Sequence, residues 1–258
     1  MATGIRRVGD FCWINIVTPR PAEAMGFFGK LLGLTFFEMP GIGHGMQVNG
    51  RNIGGIFDIE GPGAPPGMSP TIGVMIKVDS ADATCEKVAA LGGTAKKAFD
   101  VGEQGRMAVC FDPNGGEFDV WEPKKMLGTD ADSSLHGAPS WSEALTTDVA
   151  HATDFYSELF GWEPEVRHAP GVDYTIFTNG GTQVAGMMKV PMEGIPPHWG
   201  TYFTVDDADG AARVAEGLGA TTFVPPMDIP GTGRFSGLIS PQGVRFYVVE
   251  YLPGGGRG

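Results

Sequence analysis

Short apolar segments separated by turns follow one another along the whole chain. The first segment, residues 11–17, and a later one, residues 141–145, have the length and apolar content of buried strands. Four apolar residues then recur at spacings of three and four, which predicts a helix with one buried stripe: Ala24, Phe27, Phe28 and Leu31. Gly33 follows where a left-handed helix cap is expected. The chain therefore begins as a strand followed by a helix.

The same pattern occurs a second time at an offset of 127–128 residues. The anchors keep one order in both halves, as the matched pairs Trp13 and Trp141, Gly33 and Gly161, Val78 and Val205, Gly92 and Gly219, and Pro113 and Pro241 illustrate. Matches in one order over more than a hundred residues indicate an internal duplication.

Each half is predicted to run strand, helix, two short strands, strand, helix and two closing strands. The fold class that we expect is α+β, with two tandem β-α-β-β-β modules that pair into a cup-shaped sheet. The first module covers residues 9–123 and the second covers residues 137–252. A polar, Gly-containing linker joins them over residues 124–136.

With this repeat, the sequence resembles the vicinal oxygen chelate superfamily, which contains glyoxalases, bleomycin-resistance proteins and extradiol dioxygenases. The resemblance rests on Ala-x-x-Phe-Phe/Tyr followed by Leu/Phe-Gly, on Val-Asp before the second helix, and on Asp/Ser-Pro-x-Gly before the last strand. It covers almost the whole chain and is greatest to actinobacterial two-module members in which a Trp opens the first strand of each module. It implies curved sheets around a small-molecule site, without fixing a reaction.

The resemblance also implies where metal ligands would stand in metal-dependent relatives. Those positions hold Trp13, Gly73 and Asp119 in the first module, and Trp141, Gly200 and Tyr247 in the second. Only a carboxylate among these side chains is a strong ligand for a divalent metal. We therefore expect neither a metal nor another cofactor. A rebuilt site from Asp119, His198 and Glu143 remains the alternative.

Alternation along the strands predicts which side chains share the concave face. If the two Trp residues face it, Asn15 and Glu143 do so too, and Trp121 and Tyr247 join them from the closing strands. Such a set suits a flat organic ligand. The alternative is that the indole rings fill the concavity as core.

Three further residues are candidates for chemistry in this site. A buried Glu143 would have a raised pKa that suits a general acid or base, and Asp119 could be its partner. The alternatives for Glu143 are a structural carboxylate that is satisfied by backbone donors, or an exposed one if the parity along the strand is misjudged. His44 lies in a glycine-rich segment, predicted to be a loop, that could close over a ligand.

Composition limits the partners and the compartment. The chain has 18 basic and 30 acidic side chains and a net charge of −12, which argues against binding to nucleic acid or to an anionic membrane. Three cysteines, an odd number, argue against a disulfide framework. No apolar run is long enough to span a bilayer and no secretory signal is evident, so we expect a cytoplasmic monomer or homodimer.

Three functions fit these observations. The first is a metal-independent protein that binds a small aromatic or amphipathic metabolite and acts by sequestration or by acid–base chemistry through Glu143. The second is a metal-dependent lyase or dioxygenase with atypical ligands. The third is a structural or interaction protein whose concavity is filled by its own side chains.

Overall fold

The computed structural model describes residues 4–61, 67–169 and 171–253. The first module contains β1 (Phe11–Thr18), α1 (Pro21–Leu32), β2 (Thr35–Met39), β3 (Gly43–Val48), β4 (Arg51–Asp58), β5 (Thr71–Lys77), α2 (Ala81–Ala90), β6 (Thr94–Ala95), β7 (Phe99–Val101), β8 (Gly105–Phe111) and β9 (Glu117–Pro123). The second contains β10 (Pro139–Thr146), α3 (Val149–Phe160), β11 (Glu163–Ala169), β12 (Val172–Asn179), β13 (Thr182–Lys189), β14 (His198–Thr204), α4 (Ala208–Gly217), β15 (Thr221–Ile229), β16 (Gly233–Ile239) and β17 (Arg245–Tyr251).

Each module folds its strands into one mixed sheet. The order is β2-β3-β4-β1-β5-β9-β8-β6 in the first, with β7 also paired to β8, and β11-β12-β13-β10-β14-β17-β16-β15 in the second. The predicted α+β class with two tandem modules is confirmed. Among the described residues no strand pairs across the modules, so each module has its own curled sheet and its own concave face instead of one shared cup.

The structure adds edge strands to the predicted elements, and with them the second module contains the β-α-β-β-β order twice. The first module differs only in its second half, where two short strands, β6 and β7, both precede β8. The edge strand β15 includes Pro225 and Pro226, which sequence patterns read as strand breakers although edge strands tolerate them. The loop predicted around His44 is wrong, because this residue lies in β3, opposite Glu38 and Ile56. The ring of Phe37 lies across Gly45, where a Cβ would collide with it, so glycine serves close packing there.

The predicted helix boundaries follow from their capping residues. Gly33 and Gly161 end α1 and α3 with φ of 66° and 71°, the left-handed conformation that glycine adopts without strain. Ser80 and Asp207 begin α2 and α4, and each side chain accepts a hydrogen bond from a backbone N–H of the first turn.

Two large apolar clusters hold the modules together, and each draws on both of them. In the first, Phe28 of α1 packs edge-on against Phe246 of β17, with ring centroids 5.2 Å apart. In the second, Phe118 of β9 meets Tyr156 of α3 at 5.7 Å. The helices thus pack one face of each sheet, and a separate, smaller cluster occupies the opposite, concave face. None of the described helices combines the length and the apolar character needed to cross a membrane.

Candidate functional site

A cavity of about 720 Å³ opens on the concave face of the second module. Most of its wall is apolar or aromatic and comes from β10 to β17, with further contributions from the N-terminal segment, from β1 and β4 of the first module, and from the linker. Representative wall residues are Trp141, Leu145, Ile176, Met188, Phe235 and Tyr251. This volume falls within the range of roughly 300–1,000 Å³ that is typical of small-molecule sites.

Glu143 lies in the middle of this sheet. Its β10 position is opposite Gly186 of the parallel neighbour β13 and Gly200 of the antiparallel neighbour β14. A Cβ at Gly186 would overlap the hydroxyl group of Tyr174, and a Cβ at Gly200 would approach the ring of Tyr247 to 2.7 Å. The two glycines therefore make the space in which two tyrosine side chains lie beside the carboxyl group.

Both carboxyl oxygens of Glu143 have a phenolic partner. The Tyr174 hydroxyl donates to Oε2 at 2.8 Å and the Tyr202 hydroxyl donates to Oε1 at 3.0 Å. The indole N–H of Trp141 in turn donates to the Tyr174 oxygen at 2.9 Å. The ring of Tyr202 stacks on that of Tyr247 with centroids 4.4 Å apart, which fixes its hydroxyl group in place.

Burial governs the protonation of this cluster. It raises the pKa of Glu143, and the two tyrosine hydrogen bonds oppose that shift by favouring the ionised form. Burial and the Glu143 charge raise the pKa values of Tyr174 and Tyr202 well above their ordinary value, and that of Tyr247 to about 12. The phenols consequently stay protonated at neutral pH and act as hydrogen-bond donors.

The first module places different residues in the matching positions. Asn15 lies opposite Gly73 as Glu143 lies opposite Gly200. The pair Met75 and Asp119 corresponds to Tyr202 and Tyr247. The register therefore aligns Asn15 with Glu143 as the residues opposite the two glycines, each two residues after the Trp of its strand, Trp13 or Trp141.

The concave face of the first module is filled by its own side chains. Trp13, Met75 and Trp121 are buried together, and the indole N–H of Trp121 donates to the Met126 carbonyl at 2.8 Å. Asp119 lies on this face with its Oδ1 buried and without a hydrogen-bond partner. Burial, with the nearby Glu117 charge, raises the pKa of Asp119 to about 7.

The predicted site residues are thus divided between two faces. Trp141, Glu143 and Tyr247 line the cavity, and Trp13 reaches its wall from the cluster of the first module. The expected ring of three Trp residues does not form, because Trp121 packs inside the first module. Asn15, Asp119 and His44 do not line the cavity either, and no interaction of Asp119 with Glu143 contributes to the pKa of either carboxyl group.

The side chains at the implied ligand positions do not fit a divalent metal. Trp13, Gly73 and Asp119 supply one carboxylate in the first module, and Trp141, Gly200 and Tyr247 supply none in the second, where Glu143 is the carboxylate of the same strand as Trp141. Glycine offers no ligand and a protonated phenol is a weak one, whereas protein sites for these ions use several His, carboxylate or thiolate groups. Over the described parts of the chain, no three or more His, Cys, Asp or Glu side chains are grouped so that they could hold a metal ion.

Sequence reasoning missed the two hydroxyl groups that contact Glu143. Tyr174 and Tyr202 follow it by 31 and 59 residues, and only the strand register brings the three side chains together. A signal was present in the composition, since all five Tyr residues of the chain lie in its second half. Four of them line the cavity: Tyr174, Tyr202, Tyr247 and Tyr251.

Comparison with known proteins gives relatives along the whole chain. It is 35% identical over 254 residues to a Mycobacterium tuberculosis protein named "Putative glyoxylase CFP32", covering 96% of this chain and 97% of that one. It is 31% identical to the anthracycline biosynthesis protein DnrV of Streptomyces peucetius, covering 95% and 94%.

Solved structures share the fold at much lower identity. The Mn(II)-bound glyoxalase from Novosphingobium aromaticivorans is 14% identical with a TM-score of 0.69, covering 96% of this chain and 83% of that one. The 2,2′,3-trihydroxybiphenyl 1,2-dioxygenase from Sphingomonas wittichii is 12% identical with a TM-score of 0.67, covering 95% and 91%. The family model for the glyoxalase/bleomycin resistance protein/dioxygenase superfamily matches residues 11–120 and 140–248. The chain belongs to this superfamily, with one matched module in each half.

Proposed function

We propose that this protein binds a small aromatic molecule carrying a hydroxyl group, in the cavity of the second module and without a metal ion. The observation that carries the proposal is the buried carboxyl group of Glu143, which lies in the wall of a largely apolar cavity of about 720 Å³ and accepts hydrogen bonds from two tyrosines. Apolar walls with few, well-placed polar groups are typical of small-molecule sites.

The hydrogen bonds already made around Glu143 indicate which polar group the ligand must carry there. The hydroxyl groups of Tyr174 and Tyr202 donate to Glu143, and the Trp141 N–H donates to Tyr174. Each carboxylate oxygen can accept a further bond, as can the Tyr202 oxygen. At Glu143 the side chains of Trp141, Tyr174 and Tyr202 therefore offer acceptors and have no donor to spare, so the group that binds the carboxylate must bring the donor, as a phenol or an alcohol does.

Acid–base chemistry follows from the same contact. When a ligand O–H donates to Glu143, its proton can pass to the carboxylate oxygen, which leaves an oxyanion on the ligand and a neutral carboxyl group on the protein. A raised pKa makes Glu143 a better proton acceptor than an exposed glutamate. A relative named for anthracycline biosynthesis agrees with an aromatic ligand, since anthracyclines are polycyclic aromatic compounds.

The metal-dependent alternative has less support. Its donor set is missing at the positions where the two modules match, as described above. The third alternative, a concave face filled by the protein itself, describes the first module only, where Trp13, Met75 and Trp121 are packed together. We accordingly assign the first module a structural role and place ligand binding in the second.

The proposal is tested by analysing what the purified protein carries. Small molecules released by denaturation would be identified by mass spectrometry, with elemental analysis of the same sample and with Glu143→Gln prepared in parallel. We expect an aromatic hydroxyl compound from the wild type, much less of it from the variant, and no stoichiometric transition metal. A near-stoichiometric metal whose removal abolishes ligand binding would contradict the proposal.

A further inference from the structure

The segment before β1 brings a buried cation to the same cavity. Arg6 is only 7% exposed and forms part of the cavity wall. Its Nη1 donates to the Gly4 carbonyl at 2.8 Å and its Nη2 donates to the Ala131 carbonyl at 2.7 Å. These contacts tie the N-terminal segment to the linker and hold the guanidinium group in a fixed position.

The Arg6 guanidinium has unused binding capacity. It carries five N–H groups, and in the described part of the chain two hydrogen bonds to carbonyl groups account for two of them. No carboxylate of the described residues forms an ion pair with it, although Asp10, Asp130 and Asp132 act on it from a distance. Burial lowers the pKa of Arg6, yet arginine keeps its charge in proteins. A buried charge without a contacting counter-charge costs free energy, which an anion would recover.

The next residue provides a direct contrast. Arg7 is exposed, contacts the Asp10 carboxylate at 3.4 Å and donates to the Asn179 carbonyl at 2.9 Å. The Asp10 carboxylate also accepts a hydrogen bond at its Oδ1 from the side-chain amide of Asn179, at 2.8 Å. Arg7 is not part of the cavity wall. Two adjacent arginines thus differ in role: Arg7 is paired with a carboxylate at the surface, and Arg6 is buried in the cavity wall without a carboxylate partner among the described residues.

We infer that Arg6 is a second anchor in the cavity, which binds an anionic oxygen group, such as a carboxylate, of the ligand whose hydroxyl group contacts Glu143. The inference rests on the proposed function and narrows the ligand to hydroxylated aromatic acids. Arginine suits this role because its planar N–H groups can bind both oxygens of a carboxylate. A preference for anions would oppose the net charge of −12, so it has to come from a local cation.

The test compares matched ligands that differ by one carboxylate. Phenol is paired with 4-hydroxybenzoate and 2-naphthol with 6-hydroxy-2-naphthoate, so that two separations of the polar groups are sampled. Calorimetric titration at low salt would be run on the wild type, on Arg6→Gln, on the neighbouring control Arg7→Gln and on Arg167→Gln, which changes the other arginine of the cavity wall. In the wild type we expect the carboxylate to tighten binding by on the order of tenfold in at least one pair, as a charge-assisted bond does. Arg6→Gln should abolish that gain and Arg7→Gln should keep it.

The outcomes separate this inference from the proposed function. If the hydroxyl compounds bind and the carboxylate gives no gain in either pair of wild-type titrations, the role of Arg6 is contradicted and the proposed function stands. If the gain survives Arg6→Gln but is lost in Arg167→Gln, the anion binds at the half-exposed Arg167 of the cavity wall, which also contradicts the inference. If no probe binds, both proposals fail.

Discussion

Asn15 and Glu143 occupy the same position in the two modules, each on the central strand and opposite a glycine, Gly73 or Gly200, of the adjacent antiparallel strand. The module with the amide has a concave face filled by indole and methionine side chains, and the module with the carboxyl group has the cavity. The two modules are thus copies of one framework, of which one has its concave face filled by packing and the other has a polar group in the wall of a cavity.

The space beside Glu143 depends on a glycine. In Gly186→Ala the new Cβ would displace the Tyr174 hydroxyl group, so that Glu143 and Trp141 would each lose a hydrogen-bond partner. We expect a loss of about 2–4 kcal/mol in the free energy of unfolding, measured by urea denaturation, together with loss of ligand binding. The matched control is Gly73→Ala, whose Cβ would have no neighbour closer than 3.6 Å and should be neutral or slightly stabilising. Equal effects in both variants would refute the packing argument.

The two phenolic partners of Glu143 are not equivalent. Tyr174→Phe leaves both a carboxylate oxygen and the Trp141 N–H without a partner, whereas Tyr202→Phe leaves only a carboxylate oxygen. Each unsatisfied buried group costs roughly 1–3 kcal/mol, so Tyr174→Phe should be the more destabilising change. Chemical denaturation of both variants checks this order. The reverse order would show that the described network does not govern stability.

Much of the fold could be predicted because the same sequence pattern occurs in both halves of the chain. The matched glycines that end α1 and α3, and the matched Val-Asp steps before α2 and α4, position the helices in both halves. Edge strands such as β15 escaped prediction because they lack a buried alternating face and contain proline.

The site was less predictable than the fold. Trp141 and Glu143 are two residues apart on β10, so the alternation of side chains along a strand predicted that they share one face. Both residues line the cavity. The same alternation along β9 predicted that Asp119 and Trp121 share a face. It did not predict that the first module forms a separate curled sheet, whose concave face is distinct from that of the second module. The partners of Glu143 come from β12 and β14, and their register depends on long-range pairing that no local pattern encodes.

Two Trp residues should respond oppositely to truncation. Trp121 is 2% exposed and packs inside the first module, so Trp121→Ala should cost about 3–5 kcal/mol of stability and leave ligand affinity unchanged. Trp141 lines the cavity, and Trp141→Ala should weaken the binding of an aromatic ligand by on the order of tenfold through lost stacking. Thermal denaturation and calorimetric titration of both variants measure the two effects. Weakened binding in Trp121→Ala would place the ligand in the wrong module.

Asp119 should make stability depend on pH. Its pKa is raised from 3.8 to about 7, so its contribution to stability is complete below pH 4 and is lost as the pH rises through 7. Asp119→Asn removes this loss. Its free energy of unfolding should exceed that of the wild type by at most about 4 kcal/mol at pH 8, and the difference should vanish near pH 4. Denaturation curves of both proteins between pH 4 and pH 8 measure this difference in the free energy of unfolding. A difference that grows as the pH falls would contradict the raised pKa of Asp119.

Binding of an aromatic hydroxyl group by Glu143 without a metal is tested by titrating chelator-treated wild type and Glu143→Gln with 2-naphthol, followed by quenching of Trp fluorescence. We expect saturable binding by the metal-free wild type and an affinity at least about tenfold lower in the variant, because the amide N–H₂ replaces an acceptor with a donor. Addition of Mn(II), Fe(II) or Zn(II) should change neither curve. Binding that appears only after a metal is added, or that is equal in the two proteins, would rule out metal-free recognition by Glu143.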